Sequence, residues 1–110
     1  MQWNPIITGE QLDTIKEASF TKPQVIFKHS TTCSISKMAL SRFERDEAPI
    51  SIDFNYLDLL NFRSISSEIA EKFQVHHESP QVLLIKNGEC IYDESHYGIR
   101  MEEIIEQAGI

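Results

Sequence analysis

The sequence predicts an α/β domain built on a four-stranded mixed sheet with helices on both faces. Two short runs are apolar throughout, Val25-Ile26-Phe27 and Val82-Leu83-Leu84-Ile85. Strands of this composition are buried on both faces. Segments with apolar residues at every third or fourth position lie between the predicted strands and indicate amphipathic helices. The dipeptide Asn87-Gly88 predicts a tight hairpin after the second apolar run.

An ordered arm and a first helix are predicted before the first strand. The arm carries Trp3, which we expect to pack on the surface of the domain. Thr8 followed by Gln11 is a capping-box pattern, which marks the start of a helix. Pro23 ends this helix and introduces the first strand, at 24–29. The helix face expected to be buried contains Leu12, Ile15 and Ser19.

Two further helices flank an alternating strand in the middle of the chain. Apolar and polar residues alternate over 50–58, which is typical of a half-buried strand. A helix is predicted just after Cys33, and a second one at about 65–73. The helical positions that predict them are Ile35, Met38, Ala39, Arg42 and Phe43 for the first helix, and Ile65, Ile69 and Phe73 for the second.

The C-terminal part supplies the return strand of the hairpin, at 89–94, and a last helix. Its apolar face contains Met101, Ile104, Ile105 and Ala108. Right-handed crossovers would make the first three strands parallel, and the hairpin makes the fourth antiparallel to the third. The apolar strands should be central and the alternating ones should lie at the edges. This is the thioredoxin-like fold, and it places Cys33 at the carboxyl end of a central strand, where open α/β sheets carry their sites.

Length and composition narrow the classes of function. The 110 residues suit one domain, and the formal net charge of −7 disfavours nucleic acid and anionic membranes. No apolar run approaches the roughly 18 residues that span a bilayer. Two cysteines and a start at Met1 without an apolar leader argue against a disulfide-rich secreted protein. We therefore expect a cytoplasmic protein in a reducing compartment.

Cys33 is the candidate nucleophile. It stands at or just before a helix start, where unpaired N–H groups and partial positive charge favour a thiolate over a thiol. The neighbouring hydroxyls of Thr32, Ser34 and Ser36 are expected to contact a substrate. Ser36 occupies the position of the second cysteine of a redox dithiol, so Cys-x-x-Ser predicts a monothiol mechanism. A buried structural thiol is the alternative.

Pro80 is the second element of the predicted site, because it directly precedes the second apolar strand. In the predicted fold this proline is expected to be cis and to face Cys33, whereas an ordinary trans proline at a strand start is the alternative. Proline would remove a backbone donor beside the sulfur. The backbone of Ser79 would then be free to pair with a substrate chain like an added strand.

The remaining chemistry-bearing residues give weaker signals. His29 is placed to tune the thiolate, although a side chain at a strand end can equally point away from it. His76 and His77 are placed to contact a ligand, although solvated loop histidines fit these two equally well. No residues have the spacing of zinc ligands. Cys90 follows the hairpin, on the order of 15–20 Å from Cys33 along the second apolar strand, so we expect a packing residue and no intramolecular disulfide.

Two separated motifs resemble those of the monothiol bacilliredoxins, a family of thioredoxin-fold proteins. The first is Ile26-Phe27-Lys28-His29-Ser30-Thr31 leading to Cys33-Ser34-Ile35-Ser36, and the second is His77-Glu78-Ser79-Pro80-Gln81-Val82. The resemblance runs from Trp3 through the last helix. One departure is Ser34, because the family usually has proline there.

The resemblance implies which residues form the active site and which reaction they carry out. The family's nucleophile corresponds to Cys33 and its cis-proline to Pro80. The implied activity is removal of bacillithiol from protein mixed disulfides. S-thiolated proteins would be the partners, the small thiol a co-substrate, and no metal or organic cofactor would be needed. The residues themselves indicate only monothiol exchange with a small thiol. We expect the protein to be a monomer.

Two other functions fit the same pattern. Cys-x-x-Ser also occurs in monothiol glutaredoxins that hold an iron–sulfur cluster between two subunits. The Ser34-Ile35-Ser36 stretch lacks the glycine-aromatic pair typical of that group, which counts against this function. A redox-silent binding module that keeps the fold and its strand-pairing groove is the third hypothesis.

Overall fold

A five-stranded mixed sheet with two helices on each face organises the chain in the computed structural model, which describes all 110 residues. The strands are β1 (Asn4–Pro5), β2 (Gln24–His29), β3 (Asp53–Asp58), β4 (Gln81–Lys86) and β5 (Glu89–Ser95). The helices are α1 (Glu10–Ala18), α2 (Ser34–Arg45), α3 (Arg63–Lys72) and α4 (Met101–Ala108), with a 3₁₀ turn at His96–Gly98. None of these helices is long and apolar enough to cross a membrane.

The strand order β1-β3-β2-β4-β5 confirms that the two apolar strands are central. β2 and β4 are neighbours, and every residue of Gln24–His29 is buried. The prediction of four strands missed β1, a parallel pairing of Asn4 with Asn55 and of Pro5 with Tyr56. Two residues are too few to show alternation, so this strand carries no signal in the sequence.

The predicted direction of β4 is wrong. β2 and β3 are parallel as expected, but β4 runs antiparallel to β2, with Gln81 opposite Lys28. The handedness rule applies only to crossovers that lead to a parallel strand. After α3, residues 73–80 bring the chain to the carboxyl end of β2, so β4 starts beside the end of its neighbour. This reversal places the residues before β4 next to those after β2.

Strand alternation divides the core between the two faces of the sheet. The face covered by α2 and α4 buries Val25 and Phe27 of β2, and the face covered by α1 and α3 buries Ile26. The first face also carries Trp3, whose ring lies 5.8–6.2 Å from four aromatic rings. Those rings belong to Phe27, Phe43, Phe54 and Tyr56. Trp3 therefore packs the N-terminal arm against the domain, in agreement with the packing role predicted for it.

The predicted capping box at α1 is only half formed. The side-chain Oε1 of Gln11 accepts the backbone N–H groups of Thr8 at 2.9 Å and Ile7 at 2.7 Å. The Thr8 hydroxyl bonds the same oxygen at 3.4 Å instead of a backbone N–H, and Gly9 is the N-cap residue. With Gly9 as its N-cap residue, the helix begins at Glu10.

The hairpin forms as predicted. Asn87 and Gly88 both have positive φ, 54° and 80°, the combination that a two-residue hairpin turn requires. Farther along β5 the register shifts, because Leu84 pairs with Tyr92 while Ile85 pairs with Cys90. The residue between Cys90 and Tyr92 is therefore extra. This bulge explains why the return strand shows weak alternation in the sequence.

Candidate active site

Cys33 is the N-cap residue of α2 and lies four residues beyond the end of β2. Its backbone is extended, with φ −97° and ψ 122°, and its side chain is half-buried. The Cys33 N–H donates to the Ser30 carbonyl at 3.2 Å, and the Cys33 carbonyl accepts the Lys37 N–H at 3.0 Å. The loop from β2 is thus closed by hydrogen bonds, and the thiol stands at the positive end of a twelve-residue helix.

The surroundings of Cys33 are both polar and apolar. Thr32 and Ser34, two of the predicted substrate contacts, are exposed on either side of it. Ile35 and Met38, two of the apolar positions that predict this helix, are 37% and 59% exposed. The buried face of α2 instead contains Ser36, Ala39 and Phe43. Two apolar side chains on the first two turns of α2 are therefore exposed to a partner that approaches the thiol.

Ser36 does not face a substrate, which corrects its predicted role. It is fully buried, and its hydroxyl lies 2.7 Å from His29 Nδ1 and 3.0 Å from the Ser30 N–H that donates to it. Burial lowers the pKa of His29, the carboxylates of Asp58 and Glu44 raise it, and Lys37 lowers it. A neutral His29 accepts the Ser36 hydroxyl proton at Nδ1. Ser36 therefore supports the cysteine loop from beneath.

Pro80 lies at the same end of the sheet as Cys33. The Ser79–Pro80 peptide bond is cis, as predicted. Gln81 pairs with Lys28, so Pro80 stands level with His29 at the start of the cysteine loop. Pro80 is buried, and its carbonyl accepts the His96 N–H at 3.1 Å. The geometry brings the two halves of the predicted site to one end of two adjacent strands.

Ser79 is half-buried, and its side-chain oxygen is one of two buried polar atoms without a hydrogen-bond partner in the protein. The other is Oδ1 of Asp58, at the end of β3. Both atoms lie at the end of the sheet that carries Cys33. Buried polar atoms without partners are rare in folded proteins, and a catalytic or binding role is one explanation for them. Ser79 thus offers both backbone and hydroxyl groups beside Pro80.

Lys28 is the main feature that sequence reasoning missed. Strand alternation turns it toward the face covered by α1 and α3, whereas Cys33 lies on the loop that leads into α2 on the other face. Its side chain is fully buried, and Nζ lies 3.0 Å from His77 Nδ1. Burial lowers the pKa of Lys28 to about 8, and Glu78 raises it. The sequence did carry a signal for this burial, because Lys28 lies within a predicted central strand, directly after the apolar residues Val25-Ile26-Phe27.

The other two loop histidines, His76 and His96, lie on either side of the Glu78 carboxylate. His76 Nε2 lies 3.8 Å from one carboxylate oxygen of Glu78, and His96 Nε2 lies 3.9 Å from the other. His76 is exposed and His96 is half-buried. Glu78 thus stands between two histidines just before the cis peptide bond.

Cys90 lies at the other end of the sheet from Cys33. It pairs with Ile85, which is opposite Gln24, the first residue of β2. The length of β2, about 17 Å, therefore separates the two cysteines along the strand direction. Both are free. Burial raises the pKa of Cys90 to about 11, and its Sγ donates a hydrogen bond to the Tyr92 carbonyl at 3.3 Å.

Comparison with known proteins agrees with this geometry. Residues 4–104 match the family described as monothiol bacilliredoxin BrxC. A solved structure described as a proposed oxidoreductase with a thioredoxin fold is 31% identical, with a TM-score of 0.80, and the match covers 96% of this chain and 93% of that one.

Two thioredoxins show the same fold at lower identity. The thioredoxin of Malassezia sympodialis is 22% identical with a TM-score of 0.67, over 86% of this chain and 79% of that one. The thioredoxin of Schistosoma mansoni is 19% identical with a TM-score of 0.72, over 99% and 96%. The family match and the fold together assign a thiol redox role. This chain belongs to the monothiol bacilliredoxin family of thioredoxin-fold proteins.

Proposed function

We propose that this protein is a monothiol oxidoreductase that removes a small thiol, bacillithiol, from protein mixed disulfides. The observation that carries the proposal is the isolation of Cys33. It stands at the start of α2 with Ser36 in the position of a second cysteine, while Cys90 lies at the far end of the sheet. The identity of the small thiol rests on the family alone.

The proposed reaction has two exchange steps. The Cys33 thiolate attacks the small-thiol sulfur of the mixed disulfide, so a new disulfide forms on Cys33 and the protein leaves as a thiolate, which takes up a proton. A second small thiol, as its thiolate, then attacks the small-thiol sulfur held on Cys33. This step releases a symmetric small-molecule disulfide and restores the Cys33 thiolate. Both steps exchange one disulfide for another, so they need no metal or organic cofactor.

The surrounding residues have separate roles in this proposal. The exposed hydroxyls of Thr32 and Ser34 contact the polar part of the thiolated substrate. Ser79 presents its backbone to the substrate chain as an added strand would. Pro80 has no N–H group, so it leaves no competing donor beside the sulfur. The buried Ser36 holds the cysteine loop in place.

The test uses a carrier protein that bears one bacillithiol on one cysteine. Purified wild-type protein with free bacillithiol should release the carrier thiol in repeated turnovers, and mass spectrometry should detect bacillithiol on Cys33. The Cys33→Ser variant should release none. A wild-type protein that exchanges glutathione but not bacillithiol would show that the assigned thiol is wrong.

Two other outcomes would indicate the alternative functions. Visible absorbance after anaerobic purification, lost in Cys33→Ser, would indicate an iron–sulfur protein. Failure of Cys33 to react with any disulfide or with iodoacetamide at neutral pH would indicate a redox-silent binding module. In cells we expect Cys33 to carry the small thiol after oxidant stress, in the reducing cytoplasm.

A further inference from the structure

A buried lysine without a carboxylate partner lies at the centre of the protein. Lys28 is on a central strand and has no exposed surface. Lysine is almost never fully buried unless its charge is paired. Its ammonium group has three N–H donors, yet the one hydrogen-bond partner is Nδ1 of His77, at 3.0 Å. The buried charge therefore lacks a compensating anion within the protein.

Glu78, the one carboxylate that affects the Lys28 charge, contacts two histidines instead of the ammonium group. Glu78 interacts with Lys28 at long range, because it raises the lysine pKa, but no carboxylate lies within 4.0 Å of the ammonium. Its two oxygens instead lie 3.8 Å from His76 and 3.9 Å from His96. Glu78 thus leaves the Lys28 charge without a direct counter-ion.

His77 lies between the Lys28 ammonium group and solvent. Burial lowers the pKa of His77, and the Lys28 charge lowers it further. The ring is therefore neutral at pH 7 and accepts a Lys28 N–H at Nδ1, with the Ser66 hydroxyl 3.3 Å from the same nitrogen. An acceptor at Nδ1 puts the ring proton on Nε2. His77 then presents a donor, polarised by the ammonium behind it.

A cavity of about 580 Å³ opens against this cluster, at the end of the sheet that carries the candidate active site. Its volume is within the range of small-molecule sites. Three apolar residues and six polar ones line it, and Glu71 is the single carboxylate among them. The polar lining residues are Arg63, Ser66, Ser67, Glu71, His76 and His77.

We propose that this cavity is a binding site for an oxyanion, a carboxylate or phosphate group, held by His77, Ser66 and Arg63 in front of the buried Lys28. Such a ligand supplies the negative charge that Lys28 lacks. The guanidinium of Arg63 and the serine hydroxyls are donors suited to oxyanion oxygens. The site is separate from Cys33, which stands on the loop leading into α2, on the other face of the sheet.

The first experiment titrates inorganic phosphate into the reduced protein at pH 7 and follows backbone amides by NMR. Saturable shifts are expected at Ser66, His77 and Arg63. Lys28→Met removes the ammonium while keeping a chain of similar length, and it should weaken phosphate binding at least about fivefold, as should His77→Ala. Lys16→Met is the matched control, because it removes the same charge from α1 outside the cavity, and it should change the affinity less than about twofold.

Two results would overturn the site. One is the absence of saturable shifts at the cavity residues in the wild-type protein. The other is an equal loss of affinity in Lys28→Met and Lys16→Met, which would mean that phosphate responds only to net charge. His77 is exposed, so His77→Ala tests the same contact without disturbing the core. Phosphate binding is measured without any thiol exchange, so a failure here would leave the proposed function intact.

A second arm identifies the source of the anion. Cys33 is converted to its mixed disulfide with glutathione or with glutathione diethyl ester, two adducts of similar size that differ in their carboxylates. Weaker phosphate binding in the glutathione form alone would assign the site to a carboxylate of the group carried on Cys33. Equal binding in both forms would assign it to a free oxyanion. Both of these results presuppose that phosphate binds in the cavity, which the first experiment tests.

Discussion

The hydroxyl of Ser36 lies 2.7 Å from Nδ1 of His29, and both side chains are buried beneath the loop that carries Cys33. Ser36 also accepts the Ser30 N–H at 3.0 Å, so one hydroxyl joins a strand end, a loop and a helix. In a dithiol relative this position would hold the second cysteine. In this protein the Ser36 hydroxyl instead stabilises the loop, so replacing Ser36 should lower the free energy of unfolding.

Ser36→Ala should lower the free energy of unfolding by about 1–3 kcal/mol, because it leaves the buried Ser30 N–H and the His29 ring without a partner. Urea unfolding followed by fluorescence of the single tryptophan measures this change. Ser34→Ala is the matched control, because Ser34 is exposed on the same helix turn, and it should change stability by less than about 0.5 kcal/mol. Equal stabilities of the two variants would contradict the assigned role of Ser36.

His29 should make the protein less stable as the pH falls. Burial lowers its pKa in the folded protein below the ordinary value of about 6.5, so the unfolded chain binds more protons in the window below that value. Stability should therefore fall from about pH 6.5 downward until the folded-state pKa is reached. In His29→Gln the stability difference between pH 7 and pH 5 should be smaller than in the wild type. A larger difference in the variant would show that the sign is wrong.

The buried Lys28 should destabilise the fold at neutral pH. Its pKa is about 8 in the folded protein against about 10.4 in an unfolded chain, so unfolding takes up a proton between these values and stability rises with pH across that window. Lys28→Met should be more stable than the wild type at pH 7, by about 1–3 kcal/mol, and should lose this rise. Urea midpoints at pH 7 and pH 10 measure both effects. Lys16→Met should keep the rise.

Local patterns in the sequence predicted those parts of the fold and site that local chemistry determines. The apolar strands, the Asn87-Gly88 turn, Pro80 and the cysteine at a helix start all carry their signal within a few residues. The direction of β4 does not, because the path of residues 73–80 depends on packing against the rest of the domain.

The same distinction applies to the side chains. Lys28 and His77 are 49 positions apart, and their contact exists only because β4 begins beside the end of β2. Ile35 and Met38 fit a helical pattern, yet they face solvent because α2 packs on the sheet through Ser36, Ala39 and Phe43. Neither the contact nor the rotation of the helix can be derived from spacing alone.

The two cysteines should differ sharply in reactivity. Burial raises the pKa of Cys90 to about 11, so at pH 7 roughly one Cys90 thiol in ten thousand is ionised. Brief treatment of the native protein with iodoacetamide should therefore alkylate Cys33 and leave Cys90 free. Peptide mass spectrometry quantifies both sites, and labelling in urea should reach both. Equal labelling of the native protein would mean that β5 opens readily.

Cys90 should also be dispensable for exchange, which tests the monothiol mechanism directly. About 17 Å of strand separates it from Cys33, whereas a disulfide needs Cα atoms within about 7 Å. Cys90→Ser should therefore release a thiolated carrier at the wild-type rate, while Cys33→Ser should release none. Mass spectrometry after a single turnover should find the small thiol on Cys33 in both wild type and Cys90→Ser. If the wild type instead loses this adduct unaided while Cys90→Ser retains it, Cys90 is a resolving thiol. Such a result would require β5 to leave the sheet during turnover, because no motion within the folded sheet brings the two sulfurs together.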